Sequence, residues 1–242
     1  MISNSSIDQT ELNKFNKTAA EWWDEAGEFK LLHQINPLRI KYITDTIASL
    51  LHTTTPAGLN ILDIGCGGGL ISFPLHKLGA SVTALDANKH NIDAAATYAK
   101  TNGLEVTLIN STIEEYLKAK NNAKKFDVVL CLEVIEHVSN PKEFVQNLTK
   151  LVTANGIIIL STLNRTIKSF ASAIIMAEYV LRWVPLHTHN WQKFIKPSEL
   201  DRMLQGTTLC LKELKGLKFD PISDKWYLSD DINVNYFAVI GR

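Results

Sequence analysis

The sequence predicts an α/β fold: a mostly parallel seven-stranded sheet with helices on both faces, an N-terminal helical cap, and a helical insertion after the fifth strand. Three observations predict it. Short apolar runs alternate with helical patterns from about residue 60 onward, the rhythm of βαβ units. Gly79, Gly103 and Gly156 stand where helices should hand over to strands. Finally, Asn60-Ile-Leu-Asp-Ile-Gly-Cys-Gly-Gly-Gly-Leu70 reads as a buried strand that breaks into a glycine-rich turn and restarts as a helix.

Taken in order, residues 1–10 read as a polar tail, and Glu11 to Ala26 as a helix with Leu12, Phe15, Ala19, Trp22 and Trp23 near helical spacing. Pro37 can open a second helix, capped by Asn36 and running from Leu38 to about Leu51. Strands are expected at 60–64, 81–86, 105–110, 126–132 and 156–162, and helices at about 70–78, 89–101, 112–119 and 141–152. Two further strands, 208–219 and 233–240, should finish the sheet as a hairpin. The insertion runs from Ser169 to Val184. There Phe170, Ile174, Ala177, Leu181 and Val184 share one helical face, the pattern of a lid, an interfacial helix or a core helix. The expected divisions are a cap over 1–55 and a main domain over 56–242, with the insertion at about 164–200.

The glycine turn selects the ligand class. A dinucleotide fingerprint requires G-x-G-x-x-G. Here Gly65 and Gly67 fit, but Leu70 stands at the last position and the third glycine comes early, at Gly69. No phosphate-gripping lysine follows, so a P-loop is excluded as well. The G-x-G-x-G pattern after Asp63 resembles motif I of the class I S-adenosylmethionine (SAM) methyltransferases. The next strand, Ser81 to Asp86, ends in an acid about 20 residues beyond the glycines, where a ribose-binding carboxylate belongs.

Composition narrows the classes further. Lys+Arg and Asp+Glu are both 25 of 242 residues, so the formal charge is zero and no broad nucleic-acid footprint is expected. Cys66, Cys131 and Cys210 lie far apart with no C-x-x-C, which suggests a reducing compartment and no zinc site. The first eleven residues are polar and lack the apolar core of a signal peptide. No uninterrupted apolar stretch reaches 18 residues, so no transmembrane helix is expected.

A second cluster of chemistry follows the fourth strand. Glu133, Glu136 and His137 fall within five residues at its carboxyl end. If 133–137 is a helical turn, all three share a side. Such a set can bind a divalent cation, with its oxygens suiting Mg²⁺. It can equally form a general base with an orienting acid, or a helix cap with surface ion pairs.

The chain resembles the ubiquinone-biosynthesis O-methyltransferase family along most of its length. The resemblance rests on Phe15 to Asp24, Gly27 to Lys30, Leu32 to Arg39, Leu62 to Gly69, Glu133 to His137, Ser161 to Arg165, Ala177 to Tyr179, Val184-Pro185, Lys193 to Pro197 and Asp231 to Tyr236. It implies a Rossmann-like class I fold and SAM-dependent O-methylation of polyprenyl catechols and demethylubiquinol. It further implies that Arg39 pairs with the SAM carboxylate, Gly65 contacts the donor through backbone, Asp86 holds the ribose, and Leu132 lines the adenosyl pocket. Glu133, Glu136 and His137 match the family's Mg²⁺ ligands, with Glu136 and His137 also the candidates for proton transfer. The insertion is implied to engage an anionic membrane surface, within a bacterial cytoplasm and peripheral to the inner membrane, with a quinone-biosynthesis complex as a further partner. Trp22, Trp23 and His189-Asn-Trp191 are candidates for closing the pocket. The competing readings are a SAM-binding component without catalysis, and a methyltransferase for another small acceptor.

Overall fold

The computed structural model describes residues 21–119, 125–171 and 190–242. Eight strands among them form one sheet: β1 (Asn60–Ile64), β2 (Ser81–Asp86), β3 (Thr107–Asn110), β4 (Phe126–Leu132), β5 (Val152–Leu163), β6 (Cys210–Asp220), β7 (Lys225–Ser229) and β8 (Asn235–Gly241). Their order across the sheet is β3-β2-β1-β4-β5-β8-β6-β7. The first five are parallel, and β8, β6 and β7 pair antiparallel. The longer described helices are α1 (Lys30–Leu50), α2 (Ser72–Lys77), α3 (Lys89–Asn102), α4 (Ile113–Ala119), α5 (Pro141–Leu151) and α6 (Pro197–Leu204).

Alternation along the central strands sorts the core into two layers. Leu62, Ile64, Val129, Cys131, Ile158 and Leu160 face α4, α5 and α6 through Tyr116, Phe144, Leu148 and Leu200. Ile61, Val82, Val128, Leu130, Ile157 and Ile159 face α1 and α2 through Ile43, Ile47 and Leu75. Strands buried on both faces read as mostly apolar runs, which explains why β1, β2 and β4 follow the sequence pattern to the residue.

Four expectations are corrected. The sheet has eight strands rather than seven, because Lys225–Ser229 adds an edge strand. That segment is short and only partly buried, so it carries no core-strand signature. The expected two-strand hairpin is also rearranged. β6 turns into β7, while β8 lies between β5 and β6. In addition, α1 starts at Lys30 and carries Pro37 in its interior, instead of starting there. The apolar face of Ile35, Tyr42, Ile43 and Ile47 on the sheet outweighs the interior proline, whose missing N–H leaves the His33 carbonyl without its helical donor. Residues 22–29 are turns and bends, so the expected 11–26 helix does not continue past Glu21, which is 3₁₀. No described helix is long and apolar enough to cross a membrane. Most of the amphipathic segment 169–184, including Ile174 and Leu181, lies outside the described residues.

Candidate methyl-donor and acceptor site

The parallel strands deliver the site to one edge of the sheet. β1, β2 and β4 end at Ile64, Asp86 and Leu132, and the glycine turn follows the first. Gly65, Gly67 and Gly69 all have positive φ, at 72°, 53° and 89°. None of the three has room for a side chain, and a Cβ on Gly69 would lie 2.5 Å from the Phe73 ring. A Cβ on Gly65 would lie 2.3 Å from a Val134 methyl, and one on Gly67 2.4 Å from the Trp22 ring. The turn is pinned from β2: the Gly65 and Cys66 amides donate to the Leu85 carbonyl, at 2.7 and 3.1 Å. Cys66 is buried, and burial pushes its thiol well above its usual range, so it is a packing residue rather than a nucleophile.

Asp86 is held in place by its surroundings. One carboxylate oxygen accepts the Gly67 amide at 2.9 Å and the other the Asn88 amide at 2.7 Å. The Asn91 side chain is a third donor. Burial raises the Asp86 pKa, and these donors work against that rise. A carboxylate has about four acceptor sites, so a hydroxyl can still be received. Beneath the turn, Ser72 donates to the buried Asp63 at 2.6 Å, tying the start of α2 to β1.

The two tryptophans close the outside of the glycine turn. Trp22 lies on Gly67 and Gly68, stacks on Phe29 with ring centroids 3.8 Å apart, and donates its indole N–H to Asn91 at 2.9 Å. Trp23 donates to the Gly68 carbonyl at 3.0 Å and stacks on Tyr98 at a 3.4 Å centroid separation. Trp191 instead holds the stem of the insertion, donating to the Thr166 carbonyl at 2.9 Å. His189 lies outside the described residues.

Arg39 and Leu132 complete the donor side. Leu132 is buried at the end of β4 and packs in the same layer as α1. Arg39 comes from the buried face of α1 and is only 8% exposed. Its Nε has no hydrogen-bond partner, and its terminal nitrogen lies 3.6 Å from Glu133 Oε1. Burial lowers the Arg39 pKa, opposed by the charges of Glu133 and Glu136.

Glu133 departs from the expected geometry. Helical spacing would put it on one side with Glu136 and His137. The observed 3₁₀ turn begins only at Ile135, and Glu133 precedes it at φ 57°, in the left-handed region. Its amide donates to the Ser161 carbonyl at 3.0 Å, and the Ser161 hydroxyl donates back to Oε1 at 2.6 Å. Glu136 is buried in the 3₁₀ turn, where Thr162 donates to it at 3.0 Å. Burial, then the charge of Glu133, push its pKa up to about 8, with His137 opposing. Among the described residues no three His, Cys, Asp or Glu side chains gather in a group that could hold a metal ion. Glu133 is turned toward Arg39 and Ser161, so the Glu133, Glu136 and His137 side chains do not converge on one point. Sequence spacing does not announce Asn91, Ser161 and Thr162, since each acts through a contact made only in the fold.

Comparison with known proteins agrees with this fold. A profile described as "Methyltransferase domain" matches residues 31–209. A Rickettsia felis protein named "Ubiquinone biosynthesis O-methyltransferase" is 52% identical over 238 residues, covering 98% of this chain and 95% of that one. A Rickettsia akari protein of the same name is 51% identical over 237 residues, covering 98% and 92%. Among solved structures, magnesium protoporphyrin IX methyltransferase (ChlM) from Synechocystis PCC 6803 with bound SAH superposes with a TM-score of 0.65 at 17% identity, covering 96% of this chain and 98% of that one. The plantazolicin methyltransferase BpumL superposes at 0.64 and 18% identity, covering 97% and 100%. These two likenesses establish the class I methyltransferase fold.

Proposed function

The chain belongs to the ubiquinone biosynthesis O-methyltransferase family, and on that premise we propose that it methylates a catechol hydroxyl of polyprenyl intermediates, 2-polyprenyl-6-hydroxyphenol and 3-demethylubiquinol. It is a SAM-dependent methyltransferase. The observation that carries the reading is the pair of functions at one sheet edge: a glycine turn locked to Asp86, beside an acid–imidazole pair, Glu136 and His137. The residues fit the donor. Gly65 and Gly67 offer a close backbone approach, Asp86 retains acceptor capacity for ribose hydroxyls, Leu132 is an apolar wall, and Arg39 carries an unpartnered Nε suited to a carboxylate.

When bound, SAM supplies a methyl already activated on a sulfonium. The protein's task is the acceptor. A phenol of pKa about 10 is only about one part in a thousand ionised at pH 7, and that deficit of ~3 units corresponds to ~4 kcal/mol. We assign His137 as the base that takes the phenolic proton, a role that supplies ~10²–10⁴-fold. Glu136 lies beside it, and its carboxyl is mostly neutral at pH 7 with a pKa of about 8. Its charge on His137 thus grows as pH rises. The tryptophan-packed turn fixes the donor side, so the acceptor oxygen can be held ~3–3.5 Å from the methyl, in line with it.

The test is transfer of labelled methyl from SAM to a short-tailed polyprenyl catechol. Transfer is expected, with His137→Ala lowering kcat at least ~10²-fold. SAM binding without transfer would favour the non-catalytic reading. An EDTA arm reports on the metal: turnover lost with EDTA and restored by Mg²⁺ would show that Glu133 and Glu136 re-aim when the acceptor binds.

A polyprenyl tail places the reaction at a bilayer surface. The described stem of the insertion supports this, because Ile167 is 86% and Phe170 43% exposed. The arm entering the insertion is anchored: Arg165 bonds Glu199, and Lys168 bonds Asp231 at 2.7 Å. Flotation with anionic liposomes is expected to weaken for Ile167→Glu/Phe170→Glu. Unchanged flotation would remove the stem from that role.

A further inference from the structure

The site already described contains one contact that the reaction does not explain. Arg39, buried on α1, faces a carboxylate, that of Glu133. A buried guanidinium needs a counter-charge, yet the contact is loose. At 3.6 Å it is longer than a hydrogen bond, and Arg39 Nε stays unpartnered. The same Oε1 already accepts the Ser161 hydroxyl at 2.6 Å. Glu133 is brought there by backbone that a glutamate rarely adopts, at φ 57°. Its neighbour Val134 is locked into the space beside Gly65, so the start of this turn is fixed by the glycine loop itself. A side chain aimed by a costly backbone state at a half-satisfied buried cation points to a function for that state.

We propose that Glu133 is a stand-in for the donor's amino-acid carboxylate. It neutralises Arg39 while the site is empty and yields it when the donor arrives. Glu133 is about one-third exposed, and Ser161 offers it a second partner, so it can leave the ion pair without being stranded. Arg39, by contrast, is buried and stays. The incoming carboxylate can use the donors that Glu133 leaves unfilled, in a bidentate contact that the 3.6 Å pair does not make. Glu133 is then a positioning residue acting through Arg39, and it competes with the donor. This rests on the reading that Arg39 receives the donor's carboxylate.

The competition fixes the sign of the test. Glu133→Gln removes the stand-in charge. The empty site is then left with an uncompensated cation, and nothing repels the incoming carboxylate. Calorimetric titration of the full chain is expected to show SAM binding about fivefold to tenfold tighter than to wild type. Ser161→Ala, which loosens Glu133 without removing its charge, is expected to tighten binding by a smaller factor. The probe 5′-methylthioadenosine keeps the nucleoside but lacks the amino acid, and its affinity is expected to be unchanged by either substitution. Arg39→Gln serves as the control on the premise, weakening SAM but not 5′-methylthioadenosine. If Arg39→Gln weakens both ligands equally, the premise and the proposal fall together. If Arg39→Gln discriminates but Glu133→Gln leaves SAM binding unchanged or weaker, the proposal alone is overturned, and Glu133 supports Arg39 in the complex.

Discussion

Trp22 donates its indole N–H to Asn91 across 69 residues of sequence, and Asn91 in turn hydrogen-bonds Asp86. The segment before α1 is thereby coupled to the carboxylate assigned to the donor's ribose. Asn91→Leu removes a donor to a charged group, an interaction worth ~1.5–3 kcal/mol, and is expected to raise the Kd for SAM at least ~10-fold. Trp22→Phe keeps a ring over Gly67 and Gly68 but loses the N–H, and should cost only about fivefold. Titration of both variants with SAM checks the ordering. A Trp22→Phe effect as large as that of Asn91→Leu would mean that the ring, not the relay, is what matters.

Gly65 tests the turn in a way that separates two costs. Its φ of 72° makes any other residue strained by ~1–2 kcal/mol, and the 2.3 Å approach to Val134 adds overpacking of ~1–3 kcal/mol. Gly65→Ala is expected to lose both in urea denaturation. Adding Val134→Ala should recover the packing part and leave the strain. No recovery in the double variant would show that Val134 is not what excludes a side chain there.

Glu136 gives the enzyme's stability a definite pH dependence. Its carboxyl has a folded pKa of about 8 against an ordinary 4.5, so the native state holds its proton more tightly than the unfolded chain does. Stability must then fall as pH rises from about 4.5 to about 8, because the unfolded state ionises first. Glu136→Gln cannot titrate and still accepts from Thr162. Chemical denaturation across that window should give a flatter curve for the variant, with its advantage over wild type greatest above pH 8. Parallel curves would place the missing charge elsewhere.

Asp63 behaves alike on a smaller scale. Burial lifts its pKa to about 6 and Ser72 holds it down. Ser72→Ala should lift it further and cost ~1–3 kcal/mol above pH 7, where the carboxylate would be buried with its main partner gone. The cost should shrink toward pH 4, as the acid protonates in both states. A loss of equal size at both pH values would point to packing at the start of α2 instead.

How much of this is readable in the sequence depends on whether a residue's role is local. The glycine turn, Asp86 and the apolar strands are local patterns, and the fold keeps them where the pattern puts them. The start of α1 is not local: Pro37 argues for a beginning, and the sheet beneath Ile35 and Ile43 overrules it. Glu133 shows the same limit at the site. Spacing groups it with Glu136 and His137, but one left-handed residue re-aims it toward Arg39. Such a reversal depends on Ser161, 28 positions away, and no window of sequence contains both.

The position of β8 bears on how the molecule is made. It follows the seven other described strands in the chain, yet lies between β5 and β6. During synthesis, β1 to β5 can associate as they emerge, but β6 and β7 have no seat until β8 arrives to bridge them to β5. The sheet must therefore close last along an interior seam rather than grow at its rim, and its late contacts are distant in sequence, which slows folding. A chain that stops before Val234 would carry a hairpin without a sheet, an unpaired β5 edge, and an Asn164 amide lacking its Val234 acceptor. Ribosome-bound intermediates of this length are where chaperones would be needed most.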